Sequence, residues 1–136
     1  MNSTPASSPT RVRVLDDERS IRKALGSFLK RHGCCALEVS SAEEAQQLVE
    51  TGPLDAFILD VRLPGKHSGI DLLAELRRRS TLARMPASVL TGELREDEKA
   101  AVTLHHAHLF YKPEGLPTLV RFLKQLMGRD QPNRFH

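Results

Sequence analysis

The sequence lacks any long hydrophobic run. None of its apolar stretches approaches the ~20 residues that a membrane-spanning helix requires. The first ten residues, Met1–Thr10, are rich in Ser, Thr and Pro and lack the apolar core of a secretory signal. We therefore expect no membrane association, and a flexible N-terminal tail over residues 1–10.

Cysteine is also scarce. The two cysteines, Cys34 and Cys35, are adjacent, and neighbours in sequence seldom reach disulfide geometry. Adjacent cysteines do not have the spacing of a zinc or redox motif either. Cysteines that form no disulfide are typical of a reducing compartment and predict a cytoplasmic protein.

A strong excess of one charge is missing as well. The net charge of +3, from 20 basic and 17 acidic residues, is too small to indicate direct DNA binding. The densest basic run, Arg77–Arg79, falls at an expected helix C-terminus. Cations are favourable there because of the helix dipole, so we interpret the run as a solvated helix end.

The hydrophobic residues that are present form a regular pattern along a chain of one-domain length. Five short apolar runs predict strands, and a helical pattern follows each of them. The predicted strands are Arg11–Leu15, Cys35–Val39, Ala56–Leu59, Ala87–Leu90 and His108–Tyr111. The predicted helices run from about Ile21 to Leu29, Ala42 to Glu50, Gly69 to Ser80, Asp97 to His105 and Leu116 to Met127. The alternation indicates an α/β domain over residues 11–127, with a parallel sheet covered by helices on both faces and a C-terminal tail over 128–136.

Two local features refine this pattern. Arg13 is unusual in a buried strand, and we expect it near the strand start with its side chain extending to solvent. Ser41 and Glu44 have the spacing of a capping box, in which Glu44 reaches back to the backbone of the cap residue.

Polar side chains follow four of the predicted strands. Asp16 and Asp17 come after the first strand, Asp60 after the third, Thr91 after the fourth and Lys112 after the fifth. Because the carboxyl ends of parallel strands lie at one edge of a sheet, we expect these side chains to meet.

Three carboxylates at one edge either share a proton or bind a cation, and oxygen ligands without nearby Cys or His favour Mg²⁺. The Lys112 ammonium and the Thr91 hydroxyl suit a phosphate group. Asp60 could then act as a nucleophile that forms an acyl phosphate.

These motifs resemble the receiver domain of bacterial two-component response regulators, and the resemblance covers Arg11 to Met127. It is carried by Asp16-Asp17, Asp60, Pro64-Gly65, Gly69, Thr91-Gly92 and Lys112-Pro113, in this order and in these strand contexts. The resemblance implies a flavodoxin-like, doubly wound (βα)5 fold with strand order 2-1-3-4-5.

The resemblance also implies roles for individual residues. Asp60 would accept a phosphoryl group from a sensor histidine kinase or a histidine phosphotransfer protein. Asp16, Asp17 and Asp60 would bind Mg²⁺ together with the backbone carbonyl of Arg62, and Asp17 would do so more directly than Asp16.

The remaining implied roles concern the phosphoryl group and the output. Thr91 would hydrogen-bond to that group, Lys112 would pair with it, and the Lys112–Pro113 bond would be cis. A chain of this kind would not be an enzyme but a stand-alone signalling module. It would act by binding a downstream protein target, with a homodimer possible.

The sequence departs from the family near the fifth strand. The family usually has an aromatic residue three positions before the lysine, and this chain has Leu109 there. Tyr111 is a possible substitute, but we expect strand alternation to point it to the other face. Three nearby histidines suggest a metal site or a pH sensor. We favour exposed residues around a helix end for His105, His106 and His108.

Arg62 and Glu93 have opposite charges and follow Asp60 and Thr91 closely. We hypothesise that they form an ion pair over the phosphoryl group and slow the attack of water on it. Two solvated side chains are an equally good interpretation.

Three other functions have partial support in the sequence. A Mg²⁺-dependent phosphatase or phosphotransferase with Asp60 as nucleophile commonly has a second aspartate two positions later, where this chain has Arg62. A degenerate receiver that binds partners without phosphorylation conflicts with the complete Asp, Thr and Lys set, although Leu109 favours it. A nucleotide-binding loop at Gly65–Ser68 lacks the earlier glycine and the helix directly after it.

Overall fold

The computed structural model describes residues 10–49, 54–63 and 68–129. The strands are β1 (Arg11–Leu15), β2 (Cys35–Val39), β3 (Ala56–Leu59), β4 (Ala87–Thr91) and β5 (His108–Tyr111). The helices are α1 (Arg19–Arg31), α2 (Ala42–Val49), α3 (Gly69–Arg78), α4 (Glu96–Leu104) and α5 (Gly115–Arg129). The Pro64-Gly65 motif, residues 65–67 of the nucleotide-binding alternative, the predicted helix end Glu50 and most of both predicted tails lie outside the described residues. No helix among the described residues is long and apolar enough to cross a bilayer.

The five strands form one parallel sheet in the order β2-β1-β3-β4-β5. The strand order and the fold class expected from the resemblance are therefore confirmed. Every residue of β3 is buried, because β3 is central in the sheet and has helices on both faces. Leu15 is in register with Leu59, and Leu59 with Val89, so the strands end close together at one edge.

Hydrophobic side chains form two clusters, one on each face of the sheet, because successive strand residues point to opposite faces. Phe57 and Leu59 belong to one cluster and Ala56 and Ile58 to the other. The first cluster takes buried helical residues from α2, α3 and α4, which are Ala42, Ala45, Leu72, Leu73, Leu76 and Val102. The second takes them from α1 and α5, which are Leu25, Phe28, Leu29, Leu119 and Leu123.

Helix ends follow local signals. Gly33 ends α1 with a positive φ of 80°, a conformation that glycine adopts without strain. The Ser41 hydroxyl accepts the Glu44 N–H at 3.2 Å, as expected, but Glu44 accepts the N–H of Ser40 at 3.1 Å and not that of Ser41. A complete capping box begins α3, where Ser68 and Asp71 bond to each other's backbone N–H.

The expectation that Arg13 reaches solvent is wrong. Arg13 lies in the middle of β1, between Leu37 of β2 and Phe57 of β3, and is only 6% exposed. Its Nε and Nη1 atoms have no hydrogen-bond partner among the described residues. Burial lowers the pKa of the guanidinium. The side chain is enclosed because β1 is an inner strand of a sheet whose two faces are both covered by helices.

The interpretation of Arg77 as a solvated helix end is also wrong. Its guanidinium donates hydrogen bonds to the carbonyl oxygens of His105 at 2.8 Å and of Leu82 at 2.9 Å. The bond to His105 joins the end of α3 to the turn after α4, because the two helices are neighbours in the fold, and the bond to Leu82 holds the segment that follows α3. Packing, and not the helix dipole alone, explains this arginine.

The histidines near β5 do not converge on a metal site. His105 is half-buried, while His106 and His108 are exposed. Within residues 10–49, 54–63 and 68–129, Asp16, Asp17 and Asp60 are the group whose side chains could together hold a metal ion.

Candidate functional site

The carboxyl ends of β1, β3 and β5 bring an ammonium group into contact with three carboxylates. Lys112 Nζ lies 2.9 Å from Asp16 Oδ2, 2.9 Å from Asp60 Oδ2 and 2.6 Å from Glu18 Oε1. Asp16 and Asp60 are buried, and only 12% of the Lys112 side chain is exposed. The sequence prediction that these distant residues meet at one sheet edge is thus correct in its geometry.

The backbone holds the same residues in position. The Asp60 N–H donates to the Leu15 carbonyl at 3.0 Å, and the Lys112 N–H donates to the Thr91 carbonyl at 2.8 Å. The Lys112–Pro113 bond is cis, as the resemblance implied.

Asp16, Asp17 and Asp60 have the composition and spacing of a metal-binding group. One carboxylate oxygen from each lies within 4.8 Å of the others. Asp17 is exposed whereas Asp16 and Asp60 are buried, so the group opens to water on one side. An all-oxygen set with room for water fits Mg²⁺, which retains several waters when it binds. Metal ligation by the Arg62 carbonyl stays a prediction.

The charges in the site are strongly coupled. Burial raises the pKa of Asp16, and the Asp60 carboxylate adds to this, while hydrogen bonds from the Glu18 N–H and Lys112 act in the opposite direction. Burial alone would lower the pKa of Lys112, but the bonds to Glu18, Asp60 and Asp16 outweigh it and raise that pKa. Lys112 is therefore charged at neutral pH, and it offsets the repulsion between the aspartates.

Thr91 is the last residue of β4 and is fully buried. Its hydroxyl oxygen has no hydrogen-bond partner among the residues that the structure describes. Since Val89 is in register with Leu59, Thr91 lies beside the residues that follow Asp60. A buried hydroxyl without a partner is costly unless a ligand or water completes it, and the role of Thr91 in binding a phosphoryl group stays a prediction.

Gly69 explains how closely α3 approaches the site. A Cβ atom at this position would lie 2.0 Å from the Asp60 carbonyl oxygen. The Gly69 N–H also donates to the Val61 carbonyl at 3.0 Å. The absence of a side chain at residue 69 therefore allows the start of α3 to support the backbone of Asp60.

The hypothesis of an Arg62–Glu93 ion pair is wrong, because Arg62 pairs with a different glutamate. Arg62 donates two hydrogen bonds to Glu98 of α4, at 2.6 Å to Oε2 and 2.7 Å to Oε1. Glu93 contributes only a weaker electrostatic attraction to Arg62. Glu98 is within reach because α4 begins soon after β4 and presents the carboxylate of its first turn toward the loop after β3.

Sequence reasoning missed Glu98, Glu18 and Arg22. Glu98 is three residues after the helix cap Arg95 and bonds to its N–H at 2.9 Å, a spacing that the sequence shows. Glu18 was visible as the third member of an acidic run. Arg22 donates to the Asp16 carbonyl at 2.7 Å, and no sequence motif indicated this bond.

Leu109 stands where the family usually has an aromatic residue, and strand alternation determines to which face of the sheet each residue of β5 points. Leu109 packs against the cluster that contains Val102, and Phe110 packs against the opposite cluster. Tyr111 is two residues after Leu109, so it shares the face of Leu109. The expectation that Tyr111 points to the other face was an error of parity, although its side chain is exposed.

Comparisons with known proteins agree with this architecture. The family model of the response regulator receiver domain matches residues 12–124. The chain is 30% identical over 122 residues to the phosphate regulon transcriptional regulatory protein PhoB of Pseudomonas aeruginosa, covering 89% of this chain and 53% of PhoB. It is 30% identical over 126 residues to the response regulator MprA of Mycolicibacterium vanbaalenii, covering 92% of this chain and 53% of MprA. The chain therefore spans about half the length of these curated relatives.

A solved structure shows the same fold. The response regulator receiver protein from Pseudomonas putida superposes with a TM-score of 0.78 at 26% sequence identity. The match covers 88% of this chain and 99% of that protein. The similarity thus extends over almost the whole receiver protein.

Proposed function

This chain belongs to the response regulator receiver domain family of two-component signalling, and we propose that it accepts a phosphoryl group on Asp60. The donor would be a histidine kinase or a histidine phosphotransfer protein. The observation that carries the proposal is the position of Lys112 Nζ, 2.9 Å from both Asp60 Oδ2 and Asp16 Oδ2, next to Asp17.

The transfer follows from the charges at the site. An ionised Asp60 oxygen attacks the phosphorus, a P–O bond forms, and the P–N bond of the phosphohistidine breaks. The imidazole leaves with the electron pair of that bond and takes up a proton. Lys112 would neutralise an oxygen of the transferred group and the Thr91 hydroxyl would donate a hydrogen bond to another. The 2.9 Å contact of Lys112 with Asp60 and the unpartnered hydroxyl of Thr91 support these roles.

Mg²⁺ is the cofactor that this proposal includes. When bound, it offsets negative charge on the phosphoryl oxygens. Asp16, Asp17 and Asp60 would hold it through their carboxylates, and Arg62 through its backbone carbonyl. Without the metal ion, a phosphoryl group at this edge would add its negative charge to that of the three aspartates and Glu18, against the single ammonium group of Lys112.

The phosphoryl group stays on the protein until hydrolysis, so we propose a signalling phosphoacceptor and not a turnover enzyme. Its output would be an altered affinity for a downstream protein, with homodimer formation as one possible form. A cytoplasmic location, expected from the cysteines, remains part of the same proposal.

The test is incubation with acetyl phosphate, with and without Mg²⁺, followed by intact mass measurement. We expect the mass of the wild type to rise by one phosphoryl group only when Mg²⁺ is present. Asp60→Asn should show no rise. Asp97→Asn, which changes an exposed aspartate of α4, is the matched control and should behave as the wild type. Equal labelling of Asp60→Asn would contradict the assignment, and turnover of small phosphate esters would favour a phosphatase.

A further inference from the structure

An ion pair joins the phosphoacceptor loop to α4. Both terminal nitrogens of Arg62 bond to the two carboxylate oxygens of Glu98, at 2.6 and 2.7 Å. Side-chain exposure is 47% for Arg62 and 8% for Glu98. The guanidinium therefore borders solvent and has room to move, whereas the carboxylate is enclosed and depends on its partner.

Helix α4 has few other attachments to the sheet. Its buried residues are Glu98 and Val102, whereas α3 buries Gly69 and three leucines. Few apolar contacts oppose a movement of the first turn of α4, whereas the Arg77 bond to the His105 carbonyl holds the turn after its last residue. The Arg62–Glu98 pair, which we call the α4 clamp, thus contributes a large share of what positions α4.

Arg62 is also attached to the phosphoacceptor. Its backbone N–H donates to Asp60 Oδ1 at 3.1 Å, and it is only two residues away in sequence. The pKa of Glu98 is lowered mainly by the hydrogen bonds that it accepts from Arg62. One residue therefore contacts both the Asp60 carboxylate and the buried acid of α4.

We propose that the α4 clamp opens when Asp60 carries a phosphoryl group, and that this opening releases α4. The proposal rests on the proposed function. A phosphoryl group on Asp60 adds negative oxygens beside the backbone of Arg62, within a few bonds of its side chain, and a guanidinium binds phosphate oxygens as well as it binds a carboxylate. Glu98 then loses its two short bonds to Arg62 while buried and keeps only the Arg95 guanidinium at 3.5 Å, so α4 shifts until that carboxylate reaches water or a closer cation.

Arg95 does not replace Arg62 in this role. Its Nη1 atom lies 3.5 Å from Glu98 Oε2, and its guanidinium bonds to the exposed Asp97. When Arg62 leaves, Glu98 keeps the Arg95 N–H at 2.9 Å but has no short bond to a cation. The structure shows the clamp closed on Glu98, and the proposed second state is open toward Asp60.

The clamp connects Asp60 to α4 without an aromatic ring. Leu109, at the usual aromatic position, packs in the same cluster as Val102 of α4 and has no polar group that could respond to charge. In this chain a charged side chain can supply the response that the leucine cannot.

The experiment measures amide hydrogen exchange of α4, residues 96–104, with and without acetyl phosphate and Mg²⁺. Phosphorylation of the wild type should speed exchange in α4 by about tenfold. Glu98→Gln should show that faster exchange without the phosphate donor, and donor should add little. Glu96→Gln, an exposed glutamate on the same helix, is the matched control and should follow the wild type.

Intact mass on the same samples separates the two proposals. A wild type that gains a phosphoryl group while α4 exchange stays unchanged would overturn the clamp and leave the proposed function standing. No gain in mass would overturn the proposed function and, with it, the opening of the clamp. Slow α4 exchange in unphosphorylated Glu98→Gln would also overturn the clamp. If Glu98→Gln unfolds, as rapid exchange in β3 would show, Arg62→Gln is measured with the same two expectations.

Discussion

At the scale of single residues, Lys112 shows how a site can depend on one cation. It is the partner of two buried aspartates and of Glu18. Three carboxylates around an ammonium group are stable only while the positive charge is present. A metal ion at the same edge would serve the same electrostatic purpose.

We predict that Lys112→Met lowers the free energy of unfolding by about 3 kcal/mol, because it leaves Asp16 and Asp60 buried without their cation. Mg²⁺ should restore much of the loss, since it can neutralise the same carboxylates. Urea unfolding with and without Mg²⁺ measures both effects. Lys124→Met, an exposed lysine of α5, should change neither. A loss that Mg²⁺ does not reduce would show that the lysine acts through packing.

Arg13 presents the opposite case, a buried cation whose Nε and Nη1 have no partner among the described residues. Removing the charge should relieve its desolvation, so we predict that Arg13→Met raises the free energy of unfolding by about 1 to 3 kcal/mol. Chemical denaturation provides the measurement. Arg11→Met, in the exposed neighbour two residues earlier, should change stability by less than about 0.5 kcal/mol. A destabilised Arg13→Met would mean that the guanidinium has a stabilising role.

At the scale of secondary structure elements, the start of α3 depends on a glycine. A methyl group at Gly69 would overlap the Asp60 backbone, which cannot move without disturbing β3 and the site. We predict that Gly69→Ala destabilises the protein by about 3 kcal/mol and shifts the backbone of Asp60. Thermal unfolding and acetyl phosphate labelling measure the two consequences.

Gly92 is the control for this substitution, because a Cβ atom there would contact nothing within 4 Å. Gly92→Ala should change the free energy of unfolding by less than about 0.5 kcal/mol. Equal effects at both positions would show that loss of backbone freedom, and not the clash with Asp60, is what matters.

The contribution of Glu98 in α4 to the stability of the protein depends on pH. Hydrogen bonds from Arg62 lower the pKa of this carboxyl in the folded state, and Arg95 adds to the effect. A lowered pKa contributes stability that is fully present above the unfolded value of about 4.3 and is lost as the pH falls through the folded value.

We therefore predict that the wild type exceeds Glu98→Gln in unfolding free energy at pH 7 and that the difference shrinks below about pH 4. Denaturant unfolding of both proteins from pH 7 to pH 3 measures it. Glu96→Gln should stay within about 0.5 kcal/mol of the wild type at pH 7. A difference that grows on acidification would contradict a lowered pKa for the Glu98 carboxyl.

At the scale of the whole molecule, the site lies at the edge of a sheet that is buried on both faces. The repulsive carboxylates lie at the end of β1 and β3, whose apolar residues supply both clusters. The packed sheet holds the acidic residues together although their charges oppose it. A cation that binds only the folded state should then stabilise the entire domain.

We predict that Mg²⁺ at 100 times its dissociation constant raises the unfolding free energy by about 2.7 kcal/mol. Asp17→Asn should reduce this gain, because it removes the exposed carboxylate of the group. Asp97→Asn should leave it unchanged. Thermal unfolding during a Mg²⁺ titration measures the gain, and an equal response in Asp17→Asn would exclude that residue as a ligand.

The sequence alone determined the elements and the location of the site. Each strand is a short apolar run and each helix a periodic one, so both are encoded locally. The residues of the site could be found because each follows such a run, and parallel strands end at one edge. Asp16, Asp60 and Lys112 therefore meet where the sequence predicts.

Only the tertiary structure decided the partners of long charged side chains. Arg62 binds Glu98 and not Glu93, Arg13 is enclosed, and Arg77 bonds to carbonyl oxygens beyond its own helix. Such a side chain can reach several groups from one backbone position, and its choice depends on distances between elements far apart in sequence. Those distances arise from how the helices pack on the sheet, which no local pattern records.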